Sequence, residues 1–196
     1  MGQHGRSGTI SAFLPKIDGS DVAARNSGWD VLQNLAATQA TGPIGLADIF
    51  SPDRVCCDAD ASSKKKTLEM LSELMSSADG APDSRAVADR LLAREKLGST
   101  GLGHGVAIPH GRCANLSTAV AAFIKLRDGV DFDAPDGEPV DLIVGLLVPE
   151  ECTDGHLQLL AQLAELFSQS DVREKLRSQI SPPDLLQLLI HSSLPL

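Results

Sequence analysis

The stretch from Gly98 to Arg112, GSTGLGHGVAIPHGR, decides how the rest of the chain is organised. It holds five glycines in fifteen residues, and glycine tolerates positive φ angles and lets backbone approach a ligand closely. The apolar Val106-Ala107-Ile108 within it predicts a short buried strand, which Pro109 is expected to stop. His110 is therefore predicted at a strand end, between a proline that fixes the backbone and a glycine that leaves room.

Regular elements are predicted on both sides of this stretch. Helical periodicity and capping residues predict helices at about 62–78, 82–98, 153–167, 171–179 and 183–191. Apolar runs predict strands at 119–126 and 140–148, nearly continuous as expected when helices cover both sheet faces, and 54–57 favours a further strand. Phe132 is the expected inward anchor of the turn-rich segment between the two long strands. This order predicts a single α/β domain with a mixed central sheet and helices on both faces.

The first 44 residues differ in composition from the rest of the chain. They are rich in Gly, Ser, Asn and Gln, with weak periodicity, which predicts a flexible N-terminal extension without recognisable chemistry. Residues 45–194 are assigned to the domain.

Composition narrows the classes of function. A net charge of -9 argues against nonspecific nucleic-acid binding. No apolar run reaches membrane-spanning length, so membrane insertion is not expected. The cysteines Cys56, Cys57, Cys113 and Cys152 lack CxxC spacing, which favours a reducing, cytoplasmic compartment.

Nucleotide, cofactor and metal sites are disfavoured by spacing. A P-loop needs a Lys-Ser/Thr pair opening a helix, and none follows Gly103 or Gly105. His104 and His110 lie six residues apart, without the i, i+4 spacing of a helical zinc motif. No cofactor and no metal are therefore expected.

The residues alone leave two interpretations of His110. It is either a loop histidine satisfied by backbone hydrogen bonds, or a nucleophile, since neutral imidazole is competent near neutral pH. His156 lies in the first turn of the predicted long helix, where free N–H groups and the helix dipole favour an anion. If the fold joins the two, they form a nucleophile beside an anion-stabilising donor. Lys64, Lys65 and Lys66 are either a solvated helix start or a docking patch for an acidic partner.

Three blocks carry a resemblance to a known family. They are REKLGSTGLGHGVAIPHGR (94–112), VDFDAPDGEPVDLIVGLLVPEE (130–151) and HLQLLAQLAEL (156–166). Together they resemble the IIA proteins of the bacterial phosphotransferase system, and within these the nitrogen-regulatory type of the fructose/mannitol family. The similarity covers about residues 45–190, and it implies the mixed-sheet fold of these IIA proteins.

The resemblance also implies roles for individual residues. The histidine of the IPHG motif, His110, would accept a phosphoryl group as a tele-phosphohistidine, although the residues themselves do not choose the nitrogen. His156 would stabilise the phosphoryl group and Arg94 would neutralise its charge. Ser99 and Thr100 would donate hydrogen bonds to it.

Two positions in the glycine-rich stretch complete these expectations. Gly111 would support phosphoryl binding. His104 departs from the Asn or Glu that relatives carry, and it either tunes the charge of the pocket or points outward.

The implied function is that of a phosphocarrier of the nitrogen phosphotransferase system. It would accept its phosphoryl group from an HPr-like protein and regulate target proteins by its phosphorylation state. One alternative is a sugar-specific fructose or mannitol IIA component that passes phosphate to a IIB partner. Another is a binding module on the same fold that is not phosphorylated.

Overall fold

The computed structural model describes residues 45–151 and 153–192. Its helices are α1 (Leu46–Ile49), α2 (Lys64–Met75), α3 (Ser84–Glu95), α4 (Thr153–Ser168), α5 (Ser170–Ser178) and α6 (Pro182–His191), with a 3₁₀ turn at Pro52–Arg54. Its strands are β1 (Val55–Ala59), β2 (Gly101–Gly103), β3 (Val106–Ala107), β4 (His110–Cys113), β5 (Val120–Val130) and β6 (Val140–Pro149). The predicted extension over residues 1–44 lies outside this description, and so do the side chains of residues 152–154 at the start of the predicted 153–167 helix.

The strands form one mixed sheet, as predicted. Its order is β1-β5-β6-β3-β2, and β4 also pairs with β6. β5 and β6 run antiparallel, with Ile124 opposite Ile143, whereas β1 is parallel to β5 and both β3 and β4 are parallel to β6. β6 is therefore the strand against which the glycine-rich stretch is aligned.

Helices cover both faces of this sheet, which confirms the predicted layering. Side chains alternate along a strand, so Phe123 and Val144 enter one core layer while Ile124 and Ile143 enter the other. The first layer contains residues of α1, α4, α5 and α6, and the second contains residues of α2 and α3. Phe132, the predicted anchor, is fully buried in the second layer.

The starts of α2 and α3 follow from their capping residues. The Ser63 hydroxyl accepts from the Lys66 amide at 3.2 Å, and the Asp83 carboxylate accepts from the Ala86 amide at 2.9 Å. Both helices end about three residues earlier than their periodicity suggested, at Met75 and Glu95. Because α3 ends at Glu95, the chain leaves the helix before the glycine-rich stretch begins at Gly98.

The predicted strand does stop before His110, although it already ends at Ala107, two residues before Pro109. Proline lacks an amide hydrogen, but its carbonyl still accepts from the Leu146 amide at 2.9 Å, so contact with β6 continues. Pairing then resumes with His110 opposite Leu146. His110 thus lies at a strand end, as predicted, but as the first residue of β4 and not as the residue that follows β3 directly.

Candidate active site

His110 is held by one contact on each ring nitrogen. Its Nδ1 lies 2.9 Å from the Ile108 carbonyl oxygen, and the Arg94 Nε–H donates to its Nε2 at 3.0 Å. Because a guanidinium only donates, Nε2 is an acceptor and the hydrogen of the neutral ring sits on Nδ1. Burial lowers the pKa of His110, an effect opposed by its bond to the Ile108 carbonyl. The neutral ring therefore presents its lone pair at Nε2.

Arg94 reaches this nitrogen from the last turn of α3. Its Nη1 also donates to the Gly98 carbonyl at 3.0 Å, which ties the guanidinium to the chain leaving the helix. A cation in the last turn is favourable for the helix dipole. The structure thus brings Arg94 to His110, and the role that the resemblance implied for Arg94 stays a prediction.

His156 lies against His110, as expected for a paired site. Their ring centroids are 5.2 Å apart at an interplanar angle of 67°. His156 is 7% exposed, and neither of its ring nitrogens has a hydrogen-bond partner within the described residues. A buried polar group without a partner is costly unless something else binds it.

The ring of His156 is neutral at pH 7. Burial is the main cause that lowers its pKa to about 4, and electrostatic interactions with His110, Arg112 and Arg94 contribute to that shift. The direction agrees with the expectation from its place in the first turn of α4, although burial and not the helix dipole is the main cause. A neutral imidazole keeps one N–H, so His156 has a hydrogen-bond donor without an acceptor in the part of the chain that the structure describes.

The hydroxyl groups of Ser99 and Thr100 do not serve as the free donors that the resemblance implied. Ser99 Oγ donates to the Phe132 carbonyl at 2.6 Å and accepts from the Gly101 amide at 3.0 Å. Thr100 Oγ1 donates to the Glu95 carboxylate at 2.6 Å. Each hydroxyl has one hydrogen, so these side chains shape the loop and have none left for a phosphoryl group.

Glu95 is a site-supporting residue that the sequence reasoning missed. Its side chain is 6% exposed and accepts from Lys64 Nζ at 3.1 Å, and its Oε2 accepts from the Thr100 amide at 3.1 Å. Lys64 Nζ donates further to the Phe132 carbonyl at 2.9 Å and to Asp133 at 2.6 Å. The available signal was an acidic residue in the last helical turn, where the dipole disfavours it. We name Glu95, Lys64, Thr100 and Asp133 the Glu95 network.

The lysine triplet at the start of α2 therefore divides between two environments. Lys64 belongs to the Glu95 network, whereas Lys65 and Lys66 are exposed and lie 3.8 and 3.7 Å from Glu69. The prediction of a solvated helix start therefore holds for Lys65 and Lys66 but not for Lys64.

Gly111 faces away from the histidine pair. An added Cβ would lie 3.4 Å from Arg90 Cβ, on the side of α3, so the missing side chain makes room for that helix and not for His110. A role for its backbone amide stays a prediction.

His104 lies well away from His110. It occupies the tight turn between Gly103 and Gly105 with φ 55°, and the Gly105 carbonyl accepts from the Asp141 amide. His110 is opposite Leu146, five residues further along β6, or about 16 Å at ~3.3 Å per residue. The exposed His104 thus points outward, the second of its two predicted alternatives.

Metal-binding clusters and membrane-spanning helices are absent from the described residues. Within residues 45–151 and 153–192, no group of three or more His, Cys, Asp or Glu side chains is arranged to hold a metal ion. None of the helices in these ranges has the length and apolar character needed to cross a membrane. Cys56, Cys57 and Cys113 are free thiols.

Comparison with known proteins identifies the family. The model for the phosphoenolpyruvate-dependent sugar phosphotransferase system EIIA 2 family matches residues 48–192. A nitrogen regulatory protein of Pseudomonas aeruginosa is 42% identical over 147 residues, covering 75% of this chain and 96% of that protein. A fructose-specific EIIA component from Haloferax volcanii is 38% identical over 131 residues, covering 67% of this chain and 85% of that protein.

A solved structure supports the same assignment. The crystal structure of nitrogen regulatory protein IIA-Ntr from Neisseria meningitidis has 44% sequence identity and a TM-score of 0.70, covering 74% of this chain and 98% of that one. The family match, the identities and the shared fold agree. This chain therefore belongs to the EIIA type 2 family of the phosphoenolpyruvate-dependent sugar phosphotransferase system.

Proposed function

We propose that this protein is a phosphocarrier of the nitrogen phosphotransferase system. His110 takes a phosphoryl group from an HPr-like protein, and the phosphorylation state changes how the protein binds its targets. The observation that carries the proposal is the Nε2 lone pair of His110, set by the Ile108 carbonyl on the other nitrogen and lying beside Arg94 and His156. Similarity to proteins named nitrogen regulatory protein and IIA-Ntr supports the regulatory branch.

The transfer needs only the exchange of one P–N bond for another. The lone pair of Nε2 attacks phosphorus, the bond from phosphorus to the donor imidazole breaks, and its electron pair returns to the donor nitrogen. The donor ring carries a hydrogen on its other nitrogen, so it leaves as neutral imidazole. The hydrogen stays on Nδ1, which donates to the Ile108 carbonyl, so no base has to remove a proton from His110. The product is a tele-phosphohistidine.

Two side chains stabilise the charge that moves with the group. The transition state is loose, with negative charge on three equatorial oxygens, so donors placed beforehand supply most of the catalysis. Arg94 shifts from Nε2 to those oxygens as the P–N bond forms. His156 donates its unpartnered N–H to them, which also satisfies its buried ring.

The direct test is phosphorylation of the full chain by phosphoenolpyruvate, enzyme I and an HPr-like carrier, followed by intact mass. We expect the wild type to gain one acid-labile phosphoryl group and His110→Ala to gain none. His191→Ala is the matched control, because His191 is an exposed histidine of α6 outside the site. Labelling of His110→Ala at the wild-type rate would overturn the site, and an unlabelled wild type would favour the non-phosphorylated binding module.

A sugar-specific IIA function is the second candidate, supported by the similarity to the fructose-specific component. It is separated from the first by mixing the phosphorylated protein with fructose and mannitol IIB domains. Slow or absent transfer is expected of a regulator, while rapid transfer to either domain would establish the sugar-specific function instead. For both candidates we place the protein in the cytoplasm, in keeping with its free thiols.

A further inference from the structure

We infer that Arg112 is a second phosphoryl-binding residue, whose guanidinium contacts the phosphoryl oxygens while the group is on His110. This inference rests on the proposed phosphorylation of His110. It assigns to the site a cation that neither the motif nor the family resemblance singled out.

Strand register places Arg112 beside the nucleophile. His110 pairs with Leu146 and Arg112 with Val148, and both partners point into the core layer on the side of α4. Gly111 pairs with Leu147, which points into the opposite layer. His110 and Arg112 therefore share one face of β4, with Cα atoms roughly 6.6 Å apart, and an arginine side chain is long enough to span that distance.

The guanidinium of Arg112 is available. The side chain is exposed, and no hydrogen bond or ion pair of its guanidinium occurs among the described residues. Its backbone is fixed, since Arg90 Nε donates to the Arg112 carbonyl at 3.1 Å while Arg90 Nη1 is held by the Ala86 carbonyl at 3.1 Å. Arg112 thus has a fixed backbone and a guanidinium that is available to bind an anion from solvent.

The charge of Arg112 already acts on His156, the neighbour of His110. It contributes, with Arg94, to the lowered pKa of His156. In a chain with a net charge of -9, two guanidinium groups on one small site create a local positive field. That field favours a phosphoryl dianion, and arginine binds phosphate oxygens through paired N–H groups.

A second cation is also needed because Arg94 is not free to bind the phosphoryl oxygens when the group arrives. In the resting site Arg94 Nε occupies the nitrogen that must bond to phosphorus. The arriving group therefore meets Arg94 before that side chain has moved to the oxygens. Arg112 makes no contact with Nε2, so it is able to bind the oxygens from the start.

The test uses phosphoramidate, a small donor that brings no partner protein. Its P–N bond breaks as ammonia leaves, and the new P–N bond forms at Nε2 of His110. We expect full-length Arg112→Gln to be labelled about 10-fold more slowly than wild type, as for the loss of a charged hydrogen bond, and Arg112→Lys to fall between them. Arg85→Gln is the matched control, because Arg85 is an exposed arginine of α3 without a hydrogen bond or ion pair in the described part of the chain.

Each outcome has a distinct meaning. Equal labelling of wild type and Arg112→Gln by phosphoramidate overturns the inference while leaving the proposed function intact. Slower labelling from the HPr-like protein alone, with a normal rate from phosphoramidate, also overturns it and makes Arg112 a contact for the partner. A wild type that neither donor labels contradicts the proposed function itself, and the inference falls with it.

Discussion

The single lone pair of His110 sets the acid limit of its chemistry, since a protonated ring has no acceptor at Nε2. Burial lowers the pKa of His110 and the nearby Arg94 charge lowers it further, against the opposing effects of the Ile108 carbonyl and Glu95. We expect an NMR titration of its ring, assigned by comparison with His110→Ala, to give a midpoint below the ordinary value of about 6.5. A midpoint above that value would contradict the assigned environment.

His156 makes stability depend on pH. Its pKa is about 4 in the folded protein, against about 6.5 when unfolded. Between these values the unfolded chain binds a proton that the folded chain does not, so the free energy of unfolding falls as pH drops from 6.5 towards 4. We expect His156→Gln to lose less stability than wild type over this window, by roughly 2 kcal/mol.

Urea unfolding at pH 7 and pH 4.5 measures this difference. His191→Gln, at an exposed position of α6, should follow the wild type. Parallel losses in wild type and His156→Gln would mean that His156 is not the titrating group.

At the scale of elements, the Glu95 network joins α3 to α2 and to the start of β2. Glutamine at position 95 keeps one acceptor but loses the charge that Lys64 and Thr100 share. We expect Glu95→Gln to lower the free energy of unfolding by about 1–3 kcal/mol. Glu69→Gln, which loses only pairs to exposed lysines, should change it by less than about 0.5 kcal/mol. Chemical denaturation measures both free energies of unfolding, and equal losses in Glu95→Gln and Glu69→Gln would show that the Glu95 network does not stabilise the fold.

The turn between β2 and β3 depends on Gly105. Its φ is 76°, and an added Cβ would lie 2.6 Å from Asp141 Oδ1, which is ion-paired with Arg177 at 2.8 Å. Gly137 has φ 71° with open space around it. Gly137→Ala should therefore cost only the backbone strain of about 1 kcal/mol, whereas Gly105→Ala should cost about 1–3 kcal/mol more. Thermal unfolding of both variants compares them, and equal losses would show that Asp141 and Arg177 simply move aside.

The accuracy of the sequence predictions varies with element type. Helices α2 and α3 were placed by their caps, and β5 and β6 by their long apolar runs, because these signals lie within a short segment. β2 and β4 were missed, since glycine-rich strands carry no apolar pattern and are defined only by pairing with β3 and β6. The partner of Ser99 was missed for a similar reason, since Phe132 lies 33 residues away along the chain.

At the scale of the whole described domain, the two core layers share their strands. Alternate residues of β5 and β6 enter opposite layers, so neither layer is able to lose its packing while the sheet stays intact. We expect Phe123→Ala and Phe132→Ala, one in each layer, to lower the free energy of unfolding by about 3–5 kcal/mol. Each variant should unfold in one transition. Circular dichroism and hydrogen exchange during urea unfolding test this, and two separate transitions in either variant would show independent layers.

The bond from Arg94 to His110 bears on reagents that the protein meets by chance. An uncharged acylating or alkylating agent would react with the same Nε2 lone pair, which already accepts a hydrogen bond from Arg94. Such a reagent has no negative charge that would attract the guanidinium away from Nε2. A phosphate-bearing donor attracts the guanidinium as it approaches. Under the proposed function, the resting site thus favours anionic over neutral electrophiles at Nε2, so its selectivity begins before any partner surface has been recognised.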